Sequence, residues 1–157
     1  MSTRNVATNR VVDRDDLNAF VRDRHRGVLL TRRRDGWPQS SLVTMGLDAR
    51  GRILVSSYPE RAKVANVDRN PLVSMVVMSD DFGGEWVQID GRARVVRLPE
   101  AVEDLVEYFR CISGEHPDWD EYRQAMIDQG KCLIRIAIED WGPIAKGGFP
   151  ARLAGPD

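Results

Sequence analysis

Tight turns between short apolar segments constrain the fold of this chain more than any other sequence feature. The dipeptide Asp35-Gly36, a strong hairpin signal, separates the β-rich segments 27–31 and 39–47. A second turn at Arg50-Gly51 precedes another such segment, residues 53–57. Strands that follow one another through turns this short run in opposite directions. The sequence therefore predicts an antiparallel sheet.

Three further segments have strand character and favour closure of that sheet. Residues 72–78 are almost continuously apolar, which is typical of a central strand. Residues 86–96 alternate between apolar and polar side chains, and Gly91 within them predicts a bulge or a close backbone approach. A last strand is predicted at residues 131–138. With too few helices to cover a parallel sheet, the chain predicts a mainly β fold with flanking helices, built on a six-stranded antiparallel β-barrel.

Apolar spacing and capping residues predict helices around these strands. The predicted helix starts are at Asp13 or Asp15, at Ser57, at Pro99 and at Asp118. The first of these helices would carry Leu17, Phe20 and Val21 on one apolar stripe.

The chain of 157 residues is most simply a single domain with two irregular ends. Residues 1–12 lack periodicity and are predicted to form a flexible N-terminal tail. The domain itself is predicted at residues 13–146. The chain from Trp141 onward is rich in Gly and Pro and reads as irregular, with residues 147–157 as a C-terminal tail.

Charge and composition exclude several classes of protein. With 23 basic and 24 acidic side chains and a formal net charge of −1, the chain lacks the basic excess that nucleic-acid binding requires. No run approaches the roughly 18 apolar residues of a membrane span, and no secretory pattern is recognisable, so we expect a cytoplasmic protein without membrane partners. Cys111 and Cys132 have no histidine at ligand spacing, so we expect no metal site.

Residues 57–66 hold the most informative pattern for function. Ser57 and Glu60 have the S-x-x-E spacing of a capping box, and Pro59 is tolerated in a first helical turn. This spacing predicts that a strand passes directly into a helix here.

The start of this predicted helix carries positive charge. Arg61 and Lys63 lie where a helix ordinarily favours acidic side chains, because its free amides and its dipole are positive at that end. A bound anion, most simply a phosphate, would satisfy the amides and both cations. The alternative is a solvated helix whose cations pair with Glu60 and Asp68, and the spacing alone does not decide between the two.

Polar strand ends extend the predicted site. Gln39 and Ser41 follow the first hairpin turn and offer hydrogen bonds to a heteroaromatic ring, while Ser56 and Ser57 place hydroxyls near the cations. Each segment alone reads as ordinary strand-end polarity. Combined with a phosphate-binding helix start, they predict an elongated ligand with the shape of a flavin or deazaflavin nucleotide. Trp86 is a further candidate, to pack against the ring or a partner subunit.

Sequence templates for catalysis give no catalytic residue. The G-x-S-x-G, H-E-x-x-H, Walker and G-x-G-x-x-G patterns are all missing from the sequence. His116 lies between two predicted helices. It is either a structural side chain or, as a weaker alternative, an acid/base group or a haem ligand.

Three segments carry a resemblance to a known family. The hairpin at residues 35–41 and the Pro-Glu-Arg-Ala-Lys-Val-Ala-Asn segment at residues 59–66 resemble the pyridoxamine-phosphate-oxidase-like split β-barrel flavoproteins. The helix pair at residues 112–126 is similar to an actinobacterial branch of that family that is associated with the deazaflavin coenzyme F420. The resemblance covers about residues 13–140.

This resemblance implies a homodimeric split β-barrel with two cofactor sites at the subunit interface. It implies that the phosphate end of the cofactor contacts Arg61, Ala62, Lys63 and Asn66, and that the ring is lined by Gln39, Ser41, Val43 and Ser56. The implied cofactor is coenzyme F420, with FMN as the alternative. The implied activity is hydride transfer between F420 and a conjugated organic small molecule; the alternatives are an FMN-binding oxidoreductase and a non-catalytic F420-binding or carrier protein.

Overall fold

The computed structural model describes residues 5–155, which form strands and helices in the order that the sequence predicts, with two additional short strands. The strands are β1 (Thr8–Arg10), β2 (Arg26–Arg32), β3 (Pro38–Leu47), β4 (Ile53–Ser57), β5 (Leu72–Met78), β6 (Trp86–Val96), β7 (Cys132–Trp141) and β8 (Ile144–Lys146). The helices are α1 (Arg14–Arg22), α2 (Ala62–Arg69), α3 (Ala101–Ser113) and α4 (Trp119–Asp128), followed by a 3-10 turn at Ala151–Leu153.

Six of these strands close into a barrel. They are ordered β6-β5-β2-β3-β4-β7, and a further pairing between β6 and β7 joins the two ends of the sheet. Every pairing around this ring is antiparallel. The predicted mainly β fold with a six-stranded antiparallel barrel and flanking helices is confirmed.

Strand β6 shows how the sequence places side chains on the two faces of the barrel wall. Val87, Ile89 and Ala93 are buried, and the polar side chains between them are exposed, as the alternation predicts. Gly91 lies at a register shift between β6 and β7. A Cβ atom here would stand 2.3 Å from the carbonyl oxygen of Ala137, which is too close for any side chain. The predicted bulge and close approach are confirmed.

The buried apolar side chains form two clusters, one on each side of the barrel wall. The larger cluster fills the barrel and includes Leu17 from α1 and Val64 from α2, so these helices close the interior. The smaller cluster joins α3 and α4 to the outside of the wall, where Leu54, Leu105 and Leu133 are almost fully buried. Each such leucine contributes about 1.5–3 kcal/mol through burial, so the helix pair is an integral part of the domain.

Two helices begin with the carboxylate caps that the sequence predicts. The Asp13 carboxylate accepts a hydrogen bond from the Asp16 amide at 2.9 Å, and the predicted apolar stripe of α1 is buried. The Asp118 carboxylate accepts from the Glu121 amide at 3.1 Å at the start of α4. Satisfying a first-turn amide in this way stabilises a helix by about 1 kcal/mol. Within residues 5–155, no helix is both long and apolar enough to cross a membrane.

The two chain ends contain more regular structure than the sequence predicts. Residues 8–10, predicted to belong to a flexible tail at residues 1–12, form β1 and pair with β8. Residues 144–146, predicted to be irregular, form β8, and Ala145 in turn pairs with Trp86 of β6. Local periodicity misses such short strands because their partners are distant in sequence. Residues 1–4 and 156–157 lie outside the described part of the chain.

Candidate functional site

A polar depression of about 500 Å³ lies where β3, β4 and the start of α2 meet. Seven of the residues that the sequence assigns to a cofactor site line it: Gln39, Ser41, Ser56, Ser57, Arg61, Ala62 and Lys63. Two further lining residues, Tyr58 and Lys131, were not predicted. The structure therefore brings the predicted phosphate side and the predicted ring side into one pocket.

Helix α2 begins later than the predicted capping box requires. Its first residue is Ala62 and its N-cap is Arg61, and no side chain caps it. The reason is a turn before the helix, in which the Arg61 amide donates to the Tyr58 carbonyl at 3.0 Å, so that Pro59 and Glu60 precede the helix. The capping-box prediction is wrong. The Val64 amide donates to the Arg61 carbonyl at 3.0 Å, whereas the amides of Ala62 and Lys63 precede the first hydrogen bond of α2.

The same displacement leaves the Ser57 hydroxyl without a partner. Ser57 is 4% exposed and lines the pocket. Its Oγ atom is buried with no hydrogen-bond partner among the described residues. An unsatisfied buried hydroxyl is costly unless a ligand or an ordered water completes it. This atom is the strongest structural indication that the pocket takes a polar ligand.

The predicted alternative, that the cations pair with neighbouring carboxylates, does not describe the structure. Asp68 forms an ion pair with Arg97 instead, at 2.5 Å. Within residues 5–155, neither Arg61 nor Lys63 lies within ion-pair distance of a carboxylate. Burial, and then the neighbouring Arg61 charge, lower the pKa of Lys63 below its usual value. A bound anion would relieve this repulsion between the two cations.

The predicted ring side consists of hydrogen-bonding groups that satisfy one another. The Gln39 amide nitrogen donates to the Ser41 hydroxyl at 3.0 Å, and the Thr31 hydroxyl donates to the Gln39 amide oxygen at 3.3 Å. Ser56 is half-buried beside them. A ligand with hydrogen-bond donors and acceptors of its own can replace the hydrogen bonds that these side chains make to one another.

Three predicted site residues do not line the pocket. Asn66 is buried and already bonded, because its amide nitrogen donates to the Thr31 hydroxyl at 3.1 Å and its oxygen accepts from Arg69. Val43 packs against the core of the barrel. Trp86, with 42% of its surface exposed, lies beside a different depression near Trp141.

Of the two lining residues that the sequence reasoning missed, Tyr58 lies within the informative segment 57–66, whereas Lys131 comes from a position with no local pattern. Lys131 precedes β7, and the neighbouring Cys132 pairs with Ser57 in the barrel, which brings a lysine from far along the chain to the pocket. Its ammonium group lies 4.5 Å from the centre of the Tyr58 ring. A register prediction for β4 and β7 would have found it, since the tight turn at Gly130 fixes where β7 begins.

His116 has structural contacts. Its Nδ1 atom accepts from the Asp118 amide at 2.9 Å, and its ring packs against Phe109, Trp119 and Tyr122. These contacts join α3 to α4, so the structural interpretation of His116 accounts for its position.

Two comparisons of the sequence with known proteins identify relatives of this chain. A family model described as pyridoxamine 5′-phosphate oxidase matches residues 14–145. The chain is 34% identical, over 80% of its own length and 83% of the other protein, to an F420H(2)-dependent biliverdin reductase from Mycobacterium tuberculosis.

Solved structures show the same fold at low sequence identity. A conserved hypothetical protein from Mycobacterium tuberculosis aligns over 98% of this chain and 94% of that one, with a TM-score of 0.72 and 20% identity. A structure named F420 reductase aligns over 80% of this chain and 94% of that one, with a TM-score of 0.60 and 19% identity. At these sequence identities, the structural matches support a shared fold and nothing further.

Proposed function

The chain belongs to the pyridoxamine 5′-phosphate oxidase family, and we propose that it is an oxidoreductase that transfers a hydride between coenzyme F420 and a conjugated organic small molecule. The observation that carries the proposal is the buried, partnerless Ser57 hydroxyl in a pocket that is also lined by Arg61 and Lys63. The choice of F420 is supported by the name of the similar mycobacterial biliverdin reductase.

The lining residues fit such a cofactor in type and position. The start of α2, with Arg61, Lys63 and the Ser57 hydroxyl, offers donors and positive charge to a phosphate group. Gln39 and Ser41 offer amide and hydroxyl groups to the polar edge of a ring. The pocket can therefore receive an elongated ligand with a ring at one end and a phosphate at the other.

The protein's own contribution to the reaction is binding and orientation. Bound F420 would supply the hydride chemistry through its deazaflavin ring. None of the described side chains that line the pocket is a carboxylic acid or a histidine. The lining does contain Tyr58, Lys63 and Lys131, whose side chains can also donate protons, so we assign the proton that completes a reduction to no single group.

Titration of the full-length protein with F420, followed by quenching of the cofactor's fluorescence, tests the proposal. We expect saturable binding of oxidised F420 in the micromolar range or tighter. In a separate assay with the reduced cofactor, we expect it to be oxidised to F420 when a reducible enone, quinone or tetrapyrrole is added. A protein that leaves F420 fluorescence unchanged at micromolar concentrations is not an F420 enzyme.

The same titration separates the two alternatives. An FMN-binding oxidoreductase would bind FMN more tightly than F420 and would be yellow when purified. A non-catalytic carrier would bind F420 tightly but would turn over no member of the substrate panel. The pocket's cations suit the phosphate of either cofactor, so the ratio of the two affinities is the deciding measurement.

We further propose that the protein is a homodimer with the cofactor sites at the subunit interface. The outer face of β3, β2 and β5 bears an apolar row, because Leu42 pairs with Val28 and Val28 with Val76 in the register of the sheet. Leu42 is 85% exposed, which is unusual for a leucine in the middle of a strand. Strand β3 also carries Ser41, so a partner on this face would lie against a strand that lines the pocket.

Replacing Leu42 with Asp tests the dimer. We expect the wild-type protein to elute as a dimer in size-exclusion chromatography with light scattering, and Leu42→Asp to elute as a folded monomer because the charge opposes burial of the apolar row. Ile127→Asp is the matched control, since Ile127 is 47% exposed on α4, away from the sheet face. A wild-type monomer at micromolar concentrations would contradict the proposal.

A further inference from the structure

Two cations of the pocket lining lie near the Tyr58 ring. The Arg61 guanidinium carbon lies 6.0 Å and the Lys131 ammonium nitrogen 4.5 Å from the centre of this ring. Both distances are within the range of cation–π attraction. The Tyr58 hydroxyl donates to the Gln129 side-chain oxygen at 3.4 Å, which ties the ring to the residues that immediately precede Lys131. Tyr58 thus connects the segment before α2 with the segment before β7.

The pocket carries more positive charge than one anionic oxygen requires. Its lining contains Arg61, Lys63 and Lys131 and, among the described residues, no carboxylate. Arginines elsewhere on the described surface are commonly neutralised, as Arg97 is by Asp68 and Arg123 by Glu103. Lys131, like Arg61 and Lys63, lies within ion-pair distance of no carboxylate in residues 5–155.

The first anionic group of a ligand has a sufficient set of partners without Lys131. The amides of Ala62 and Lys63, the Ser57 hydroxyl and the Lys63 ammonium group together offer hydrogen bonds and one full charge. Lys131 enters the lining from the chain before β7, and its ammonium group lies over the Tyr58 ring. Arg61, the N-cap of α2 beside the first group, and Lys131 therefore add two further positive charges to the same lining.

We propose that Arg61 and Lys131, positioned by the Tyr58 ring, form a second anionic subsite that binds a further negative charge of the ligand. The ligand class is a phosphate compound with a second negative charge close to the first. That charge belongs either to a phosphate monoester, as in FMN, or to a carboxylate linked to a phosphodiester, as in F420. The identity of the ligand rests on the proposed function, but the requirement for two adjacent charges does not.

Inorganic anions test the subsite without any cofactor. The full-length protein is titrated calorimetrically with pyrophosphate and with monophosphate, at constant ionic strength. We expect wild-type protein to bind pyrophosphate at least about tenfold more tightly, since the second phosphate gains charge-assisted contacts. Lys131→Gln is expected to lose this preference while keeping its affinity for monophosphate. Arg50→Gln, which removes an exposed charge in the turn between β3 and β4, is the matched control and is expected to keep the preference.

Substitutions of Tyr58 test its positioning role. Tyr58→Phe keeps the ring and is expected to keep the pyrophosphate preference, whereas Tyr58→Leu removes the ring and is expected to reduce it. If Tyr58→Leu does not fold, Lys131→Gln alone decides the subsite. Equal pyrophosphate preference in wild-type protein and Lys131→Gln, or no preference in wild-type protein, overturns the proposal.

The cofactor experiment then separates this inference from the proposed function. Lys131→Gln is expected to weaken F420 binding about tenfold and to leave the phosphate-free deazaflavin precursor unaffected. A wild-type protein that prefers pyrophosphate through Lys131 but binds neither F420 nor FMN would keep the subsite and refute the proposed function. If F420 binds but Lys131→Gln binds it equally well, the proposed function stands and the subsite is refuted.

Discussion

Lys63→Glu is expected to lower the affinity for F420 by at least about 100-fold while the protein stays folded. The substitution removes a charge-assisted contact of about 1.5–3 kcal/mol and adds repulsion against the ligand's phosphate. Lys63 is the second residue of α2, where an acidic side chain is favourable to the helix dipole. We therefore expect the free energy of unfolding to change by no more than about 0.5 kcal/mol. Fluorescence titration with F420 and urea unfolding of the same samples measure the two quantities.

Two companion variants make this result specific. Lys63→Gln, which removes the charge without reversing it, should bind with intermediate affinity. Arg50→Glu makes the same change of charge in the turn before β4, whereas the pocket lies at the far end of that strand, and it should bind normally. Normal binding by Lys63→Glu would show that the anion site lies elsewhere.

Gly91→Ala is expected to destabilise the protein by about 3 kcal/mol, the largest effect on stability that we anticipate for a single methyl group. The new Cβ would lie 2.3 Å from the Ala137 carbonyl oxygen and 2.9 Å from a methyl carbon of Ile136. One of these neighbours is backbone, so the strain cannot be relieved by a side-chain rotation, and overpacking of this kind costs about 1–3 kcal/mol or more. The affected contact is the pairing of β6 with β7 that closes the barrel.

Gly142→Ala is the matched control for Gly91→Ala. A Cβ at Gly142 meets nothing closer than the Gln88 carbonyl oxygen at 3.9 Å, and its φ is not positive. We expect a change in unfolding free energy within about 0.5 kcal/mol. Urea unfolding of the two variants side by side measures the difference. If Gly91→Ala proves as stable as Gly142→Ala, the barrel wall is more yielding at this bulge than the distances indicate.

The barrel could be predicted from the sequence because turn residues and side-chain alternation within short segments indicate its strands. The turn at Asp35-Gly36 and the alternation in β6 depend on nearest neighbours in the chain, and the structure has both where the sequence predicts them. Gly91 was informative for the same reason, since a glycine inside a strand indicates a close approach whichever strand approaches. Pairings between distant segments, such as β1 with β8, leave no such local trace.

The candidate site was only partly predictable, because its details depend on tertiary geometry. Residue types and spacing identified the cations at the start of α2, which do line the pocket. The capping-box prediction failed because a turn at Tyr58 shifts the start of α2 to Ala62. The sequence spacing of Ser57 and Glu60 is the same with or without that turn, so it could not reveal the shift. The sequence did not identify Lys131 as a site residue, because only the register of β4 against β7 places it beside Tyr58.

The distance along the chain between the parts of the pocket has a consequence for biosynthesis. Gln39 and Lys131 line the same depression, so the residues between them must already be folded into the barrel before the depression exists. A nascent chain on the ribosome therefore has no receptive site until its last barrel strand has emerged and docked. The ligand can bind only the fully folded domain. Its presence would therefore shift the folding equilibrium from partly folded conformers toward the native state.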